Sequence, residues 1–354
     1  MLQPLYLKLP KMILIGLLII AIGAFCQSSC YVPINKIKSW SWESYWIVQG
    51  VFAWLILPFL GALLAVPAGH SLCELFTADQ SFNIWMTILF GALWGVGGLT
   101  FGLSMRYLGV ALGQSIALGT CAGLGTIMGP VLLNIFFPEN DPLSQLTFAV
   151  ILGVIVTLIG IAIIGIAGSM KAASLSEEEK KAAVKDFNFP KGITIALLAG
   201  FMSGCFNVGL EFGSGINFGE LTPDIYKTLP ATFLVTLGGF ITNAAYCFYQ
   251  NQKNHTWGDY SKGGVLANNI LFCLLAGALW YSQFFGLALG KGFLADSPTL
   301  MTLSFCILMA LNVVFSNVWG IILKEWKGCS PKTITVLVIG IVVLIVSCFL
   351  PQLI

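Results

Sequence analysis

Charge is scarce in this sequence. Only 9% of its 354 residues are Asp, Glu, Lys or Arg, with a single arginine, Arg106, and two histidines, His70 and His255. A soluble domain draws on roughly 25% charged residues to cover its surface. The composition therefore excludes an ordinary soluble fold, and a net charge of +2 offers no basic field for nucleic acid. Catalytic signatures are missing as well. There is no Walker A loop, no GxSxG and no HExxH, and both histidines fall outside the apolar runs. An ATP-driven pump, a membrane hydrolase and enzymes generally lack the reactive constellation they need. The ten cysteines include no CxxC pair, and Cys121, Cys273, Cys306 and Cys348 sit within apolar runs, where a thiol packs as a small apolar group. Neither a metal site nor a bound cofactor is expected.

What the chain has is apolar length. Hydrophobic residues make up 57% of it and gather into ten runs, at about 12–34, 45–66, 82–105, 108–137, 146–169, 191–213, 228–250, 264–289, 299–323 and 333–350. A hydrocarbon core about 30 Å thick takes roughly 20 helical residues. The runs are continuous rather than alternating, which argues against a barrel. The expectation is an all-α polytopic protein with ten transmembrane helices in a lipid bilayer. Lys8 and Lys11 ahead of MILIGLLIIAIGAFC resemble a secretory leader, but the small-residue cleavage pattern is missing, so this run is read as span 1.

Lysine and arginine set the orientation. Thirteen of the 17 lie in or beside the loops after spans 1, 3, 5, 7 and 9, and four (Lys8, Lys11, Lys227, Lys291) lie on the other side. The first side is expected in the cytoplasm and both termini outside. Arg106 and Tyr107 then occupy a short cytoplasmic turn. They read as interfacial anchors, or, if Arg106 faces a cavity, as part of a gate. Glu43 in KSWSWESYW and Glu325 in LKEWKG, flanked by Lys and Trp, read as cytoplasmic interface or gating residues.

A charged linker, residues 170–190, divides the spans five and five, giving an N-terminal unit, 1–169, and a C-terminal unit, 191–354. Gly91-Ala92-Leu93-Trp94 in span 3 recurs as Gly277-Ala278-Leu279-Trp280 in span 8, each the third span of its half. An odd number of spans per repeat inverts the second copy, so the expected fold is two inverted five-helix repeats. That architecture belongs to secondary transporters with a midplane site. A non-transporting sensor or scaffold is the alternative, but no long hydrophilic stretch is present to signal.

Inside the spans the polar groups are neutral. They are Gln114, Asn207, Asn243, Asn268, Asn269, Gln283, Asn312 and Asn317; three of them share span 8 with Trp280 and Tyr281, and Trp94 stands in span 3. Amides both donate and accept to hydroxyls, and aromatic rings cover the C–H face of a sugar. Trp94, Gln114, Asn207, Asn268, Trp280 and Gln283 are the candidate contacts to a small neutral sugar, although each amide alone also serves as an interhelical hydrogen bond. Glu211, near the outer end of span 6, is the candidate proton carrier, or an ordinary interfacial residue.

Several segments resemble the bacterial L-rhamnose–proton symporter family, within the drug/metabolite transporter superfamily. They are GALWGVGGLTFGLSMRYLGVALG, INKIKSWSWE, LPATFLVTLGGFITNAAYCFYQN, LWYSQFF and LKEW, in colinear order from about residue 20 to 348. The matching residues are Trp94, Arg106, Tyr107, Asn243, Trp280, Tyr281, Gln283, Lys324, Glu325 and Trp326. The resemblance implies ten spans in two inverted halves, a place in a bacterial inner membrane with both termini periplasmic, and uptake of L-rhamnose coupled to a proton. Another sugar, or amino-acid and metabolite export on the same fold, stays open as the alternative.

Overall fold

A computed structural model of the chain describes residues 11–108, 110–174, 188–322, 324 and 326–350. Most of the charged linker therefore lies outside the described residues. Within them there are no strands, and ten helices are long and apolar enough to cross a membrane. They are α1 (Lys11–Ser28), α2 (Trp42–Leu63), α3 (Ser81–Leu108), α4 (Val110–Phe136), α5 (Phe148–Ala173), α6 (Phe189–Phe212), α7 (Leu229–Asn254), α8 (Gly263–Phe293), α9 (Pro298–Ile322) and α10 (Pro331–Phe349). Large apolar side chains such as Leu18, Ile22, Trp85, Phe148 and Val342 remain exposed on the outside of the bundle, as a surface facing hydrocarbon requires.

The ends differ from the sequence reading by a few residues, each with a local cause. Helix α2 begins at Trp42 because Ser41 is held extended, its N–H and hydroxyl both donating to the Asp259 carboxylate at 2.7 Å. Helix α7 runs on to Asn254, where His255 turns into the left-handed region at φ 54° and stops it. Helix α2 is also irregular inside. Pro58 has no N–H, and its ring crowds the carbonyl four residues earlier, that of Trp54. The chain accommodates it with a wider turn over Val51–Ile56, in which Leu57 donates to the Phe52 carbonyl five residues back.

Helix pairing follows a pattern. α1 packs along α8 as α6 packs along α3; α2 packs on α8 as α7 packs on α3; α4 rests on α6 as α9 rests on α1; and α5 pairs with α10. Each of these contacts is carried over into another, or into itself, when every helix is exchanged for the one five places along. The recurrent tetrapeptides sit at corresponding contacts. Gly91 touches the backbone of Val235 on α7, and a Cβ at Gly277 would lie 2.9 Å from Phe52 Cβ and 3.0 Å from the Gln49 carbonyl on α2. In lipid, helices approach this closely only where small residues let backbones meet.

Gly277→Val should therefore lower the melting temperature in detergent, with a cost of about 1–3 kcal/mol for overpacking against backbone that cannot retreat. Gly102→Ala, at a helical position where a Cβ meets nothing within 4 Å, should leave it unchanged or raised. Equal melting of Gly277→Val and the wild type would mean that the α2–α8 contact is looser than described.

Candidate functional site

Where α2, α3 and α8 meet, four indoles gather. Trp94 and Trp280 lie 5.6 Å apart between ring centroids, and Trp54 stands edge-on to both, at 6.0 and 5.7 Å. Trp46, two turns earlier on α2, meets Trp54 at 5.6 Å. Its indole N–H donates to Asn243 Oδ1 at 3.0 Å, while Asn243 Nδ2 donates to the Gly239 carbonyl at 2.9 Å. Asn243 thus ties the tryptophan of α2 to the backbone of α7. The wide turn ahead of Pro58 carries Trp54, so the helical irregularity and the aromatic cluster share one cause.

These rings form part of the wall of a cavity of about 190 Å³. At roughly 30 Å³ of liquid per water, that is room for about six waters or one small solute. Gln283 on α8 and Asn312 on α9 stand opposite the indoles, with Asn312 Nδ2 donating to Gln283 Oε1 at 3.0 Å. Gln27, Gln114, Ser203 and Ser316 add neutral polar groups. One end is closed by Phe206 and Phe284, stacked at 3.7 Å, together with Phe305; all three are buried. The other end leans toward the lysine-rich loops, where Tyr31 is 58% exposed. No Asp, Glu, Lys, Arg or His lines the cavity among the described residues. An uncharged interior with aromatic faces and amides accepts a neutral polyhydroxylated solute and penalises an ion, which would find no counter-charge. A larger cleft of about 600 Å³ between α4 and α5 carries only Ser115, Thr120 and Ser169 among apolar neighbours, a lining for hydrocarbon rather than hydroxyls.

Of the six candidate sugar contacts, the fold brings Trp94, Gln114, Trp280 and Gln283 to this cavity. Asn207 and Asn268 lie elsewhere. Asn207 donates to the Gly125 carbonyl at 2.9 Å, joining α6 to α4, and Asn268 donates to the Lys36 carbonyl at 3.1 Å in the loop before α2. Glu211 faces Lys291, whose Nζ is 3.6 Å from its Oε1, rather than the cavity. Tyr107 has its ring 4.5 Å from Lys191 Nζ. The Arg106 side chain and all of Glu325 lie outside the described residues. Trp46, Trp54, Gln27, Ser203 and Ser316 are among the cavity groups that sequence reasoning missed. Pro58, four residues after Trp54, was the available signal that the helix is distorted there.

Glu43 is buried rather than interfacial. It accepts from Asn254 Nδ2 and Thr256 Oγ1, both at 2.9 Å. Beside it Asp259, in the short turn Trp257–Ser261, accepts from Ser41 and from Lys262 Nζ at 2.6 Å, and Lys262 also donates to the Ser39 carbonyl at 2.7 Å. Burial alone would raise the Asp259 pKa, but these donors, Lys262 foremost, bring it down to about 2. The loop before α2 and the α7–α8 hairpin are thereby joined at the lysine-rich end.

Comparison with known proteins bears on this arrangement. The sequence pattern of the L-rhamnose-proton symport protein (RhaT) family matches residues 9–353. The L-rhamnose-proton symporters of Yersinia pestis (strain Pestoides F) and Yersinia pseudotuberculosis serotype O:3 (strain YPIII) are each 33% identical to this chain over 349 residues, 95% of this chain and 96% of theirs.

The joined corner carries a pH signature. A carboxylate whose folded pKa is depressed contributes stability that is present above its unfolded pKa near 4 and lost as pH falls through the folded value. Asp259→Asn should therefore lower the melting temperature across neutral pH, and its deficit should shrink between about pH 4 and pH 2 as the wild type loses the same interaction. A deficit that stays constant over that range would show that the ionised carboxylate is not what holds the corner.

Proposed function

The chain belongs to the L-rhamnose-proton symport protein family, and we propose from that membership and from the cavity that it carries L-rhamnose across a bacterial inner membrane together with a proton. The observation that carries the reading is the lining of the central cavity: indole faces, amides and hydroxyls, without a charged group among the described residues. Trp94 and Trp280 offer flat apolar surfaces to the sugar's C–H face, and Gln114 and Gln283 offer amides to its hydroxyls.

The halves 1–169 and 191–354 act as an inverted repeat joined by the linker 170–190, on the drug/metabolite transporter plan. Support comes from the helix pairings that survive exchange of the halves, and from the two Gly-Ala-Leu-Trp segments meeting at the cavity. Rocking one half against the other exposes the cavity to each side in turn. The lysine-rich loops are cytoplasmic and both termini periplasmic. In this conformation the cavity leans inward, and Phe206, Phe284 and Phe305 close its periplasmic end.

Glu211 carries the proton. In the present state its carboxylate is partnered by Lys291. Taking a proton from the periplasm turns it into a neutral acid and removes the attraction between α6 and α8. Phe206 and Phe284 join the same two helices one to two turns deeper, so protonation loosens the closed end.

Two measurements test this. Cells lacking rhamnose uptake and expressing the chain should accumulate labelled L-rhamnose, and a protonophore should abolish the accumulation. Glu211→Gln should lose accumulation while still exchanging labelled for unlabelled rhamnose. If that variant accumulates sugar to the wild-type level with the same protonophore sensitivity, Glu211 is not the proton carrier.

A further inference from the structure

Two polar atoms in the residues of the cavity wall have no hydrogen-bond partner among the described residues. They are the Trp54 indole nitrogen and the Asn312 side-chain oxygen, on residues 3% and 5% exposed. A buried donor or acceptor left unpaired is destabilising, and native structures keep few of them. Both atoms are shut off from bulk solvent, so a partner has to come from a neighbouring side chain or from a solute in the cavity.

The surroundings limit how each could find a partner locally. The Trp54 ring is held edge-on by Trp46, Trp94 and Trp280, at interplanar angles of 69°, 87° and 83°. Asn312 spends its amide nitrogen on Gln283 Oε1, which fixes the plane of its amide and leaves the oxygen free. One is a donor on α2, the other an acceptor on α9, and both belong to the cavity lining.

We infer that Trp54 and Asn312 are the residues that orient the sugar: the indole N–H donates to one ring hydroxyl, and the Asn312 carbonyl accepts from another. This rests on the sugar-transport reading above and adds to it a basis for specificity. A site built around unpaired polar groups rejects an analogue lacking the matching hydroxyl far more strongly than an apolar pocket rejects a change of size. The wide turn of α2 then has a role in recognition, since it presents the Trp54 N–H. One competing arrangement is internal. Gln49 Oε1, five residues before Trp54, is also buried without a partner, and a side-chain rotation joining the two would satisfy both without sugar.

The test is equilibrium binding of labelled L-rhamnose to the purified protein, with competition by a series of analogues each lacking one ring hydroxyl. Trp54→Phe keeps an aromatic ring in the cluster and removes the N–H. It should weaken rhamnose about tenfold, the fold-change of one neutral hydrogen bond of typical strength. One analogue, already weak against the wild type, should lose nothing further. Asn312→Ser should behave likewise with a different analogue. If both variants bind rhamnose as the wild type does, or weaken rhamnose and every analogue by the same factor, the assignment is overturned. A Trp54→Phe variant with wild-type binding and a melting temperature lowered as much as in Gln49→Leu would assign the N–H to Gln49 instead. A wild-type protein that melts cooperatively yet binds no rhamnose would remove the substrate reading, and this assignment with it.

Discussion

Helices in a bilayer gain nothing from hiding apolar surface against one another, because the lipid is as apolar as they are. Contact has to come from close packing of backbones. In this chain the backbone contacts at Gly91 and Gly277 set the position of the site. Each glycine lies three residues ahead of a tryptophan, so each contact fixes where an indole stands, and the two indoles meet 5.6 Å apart. A side chain at either glycine would displace a helix and its tryptophan together. The packing of the fold and the geometry of the cavity are one arrangement.

That coupling explains how much was legible beforehand. Ten spans could be read because crossing a membrane needs a long apolar run whatever the neighbours are. Helix ends could be read only to within a few residues, since the start of α2 depends on Asp259, more than 200 residues further along. The amides were the least readable. Gln283 and Asn268 are both neutral polar residues on α8, yet one reaches the cavity and the other a loop carbonyl. Which role an amide takes depends on the helix it faces, and periodicity within its own helix carries no such information. KSWSWESYW reads as an interface segment, and nothing in the apolar run around Trp54 singles it out, yet Trp46 and Trp54 both line the cavity, Trp54 from the wide turn ahead of Pro58.

The two ends of the bundle are built unequally. At the lysine-rich end the loop before α2 and the first turn of α2 are bound to the α7–α8 hairpin by Ser41 on Asp259, by Lys262 on the Ser39 carbonyl, by Asn254 and Thr256 on Glu43, and by a reciprocal pair between Asn269 and the Lys38 backbone at 3.0 and 2.8 Å. At the opposite end the corresponding loops share the Thr222 hydroxyl on the Ala65 carbonyl at 2.8 Å and the Gln80 amide on the Gly215 carbonyl at 3.4 Å. Opening that separated α2 from the α7–α8 corner would have to break many buried polar contacts at once.

Charge is distributed along the same axis. The cavity is neutral among the described residues, while Glu211 with Lys291 lies toward one end and Glu43 with Asp259 toward the other. A neutral sugar needs no counter-charge, and a desolvated charge in a small cavity without a partner is costly. On the proposed assignment of the proton to Glu211 and the sugar to the cavity, their separation avoids that cost but removes any direct contact between the two ligands. Coupling then has to pass through helices that both sites share. α6 and α8 meet this requirement, since one carries Glu211 and Phe206 and the other Lys291, Phe284, Gln283 and Trp280. On that proposal, a change in the ion pair would reach the sugar as a displacement of Phe284 and Gln283, which share α8 with Lys291. Coupling of this kind depends on the spacing between α6 and α8, so small residues and stacked rings along them matter as much as the carboxylate itself.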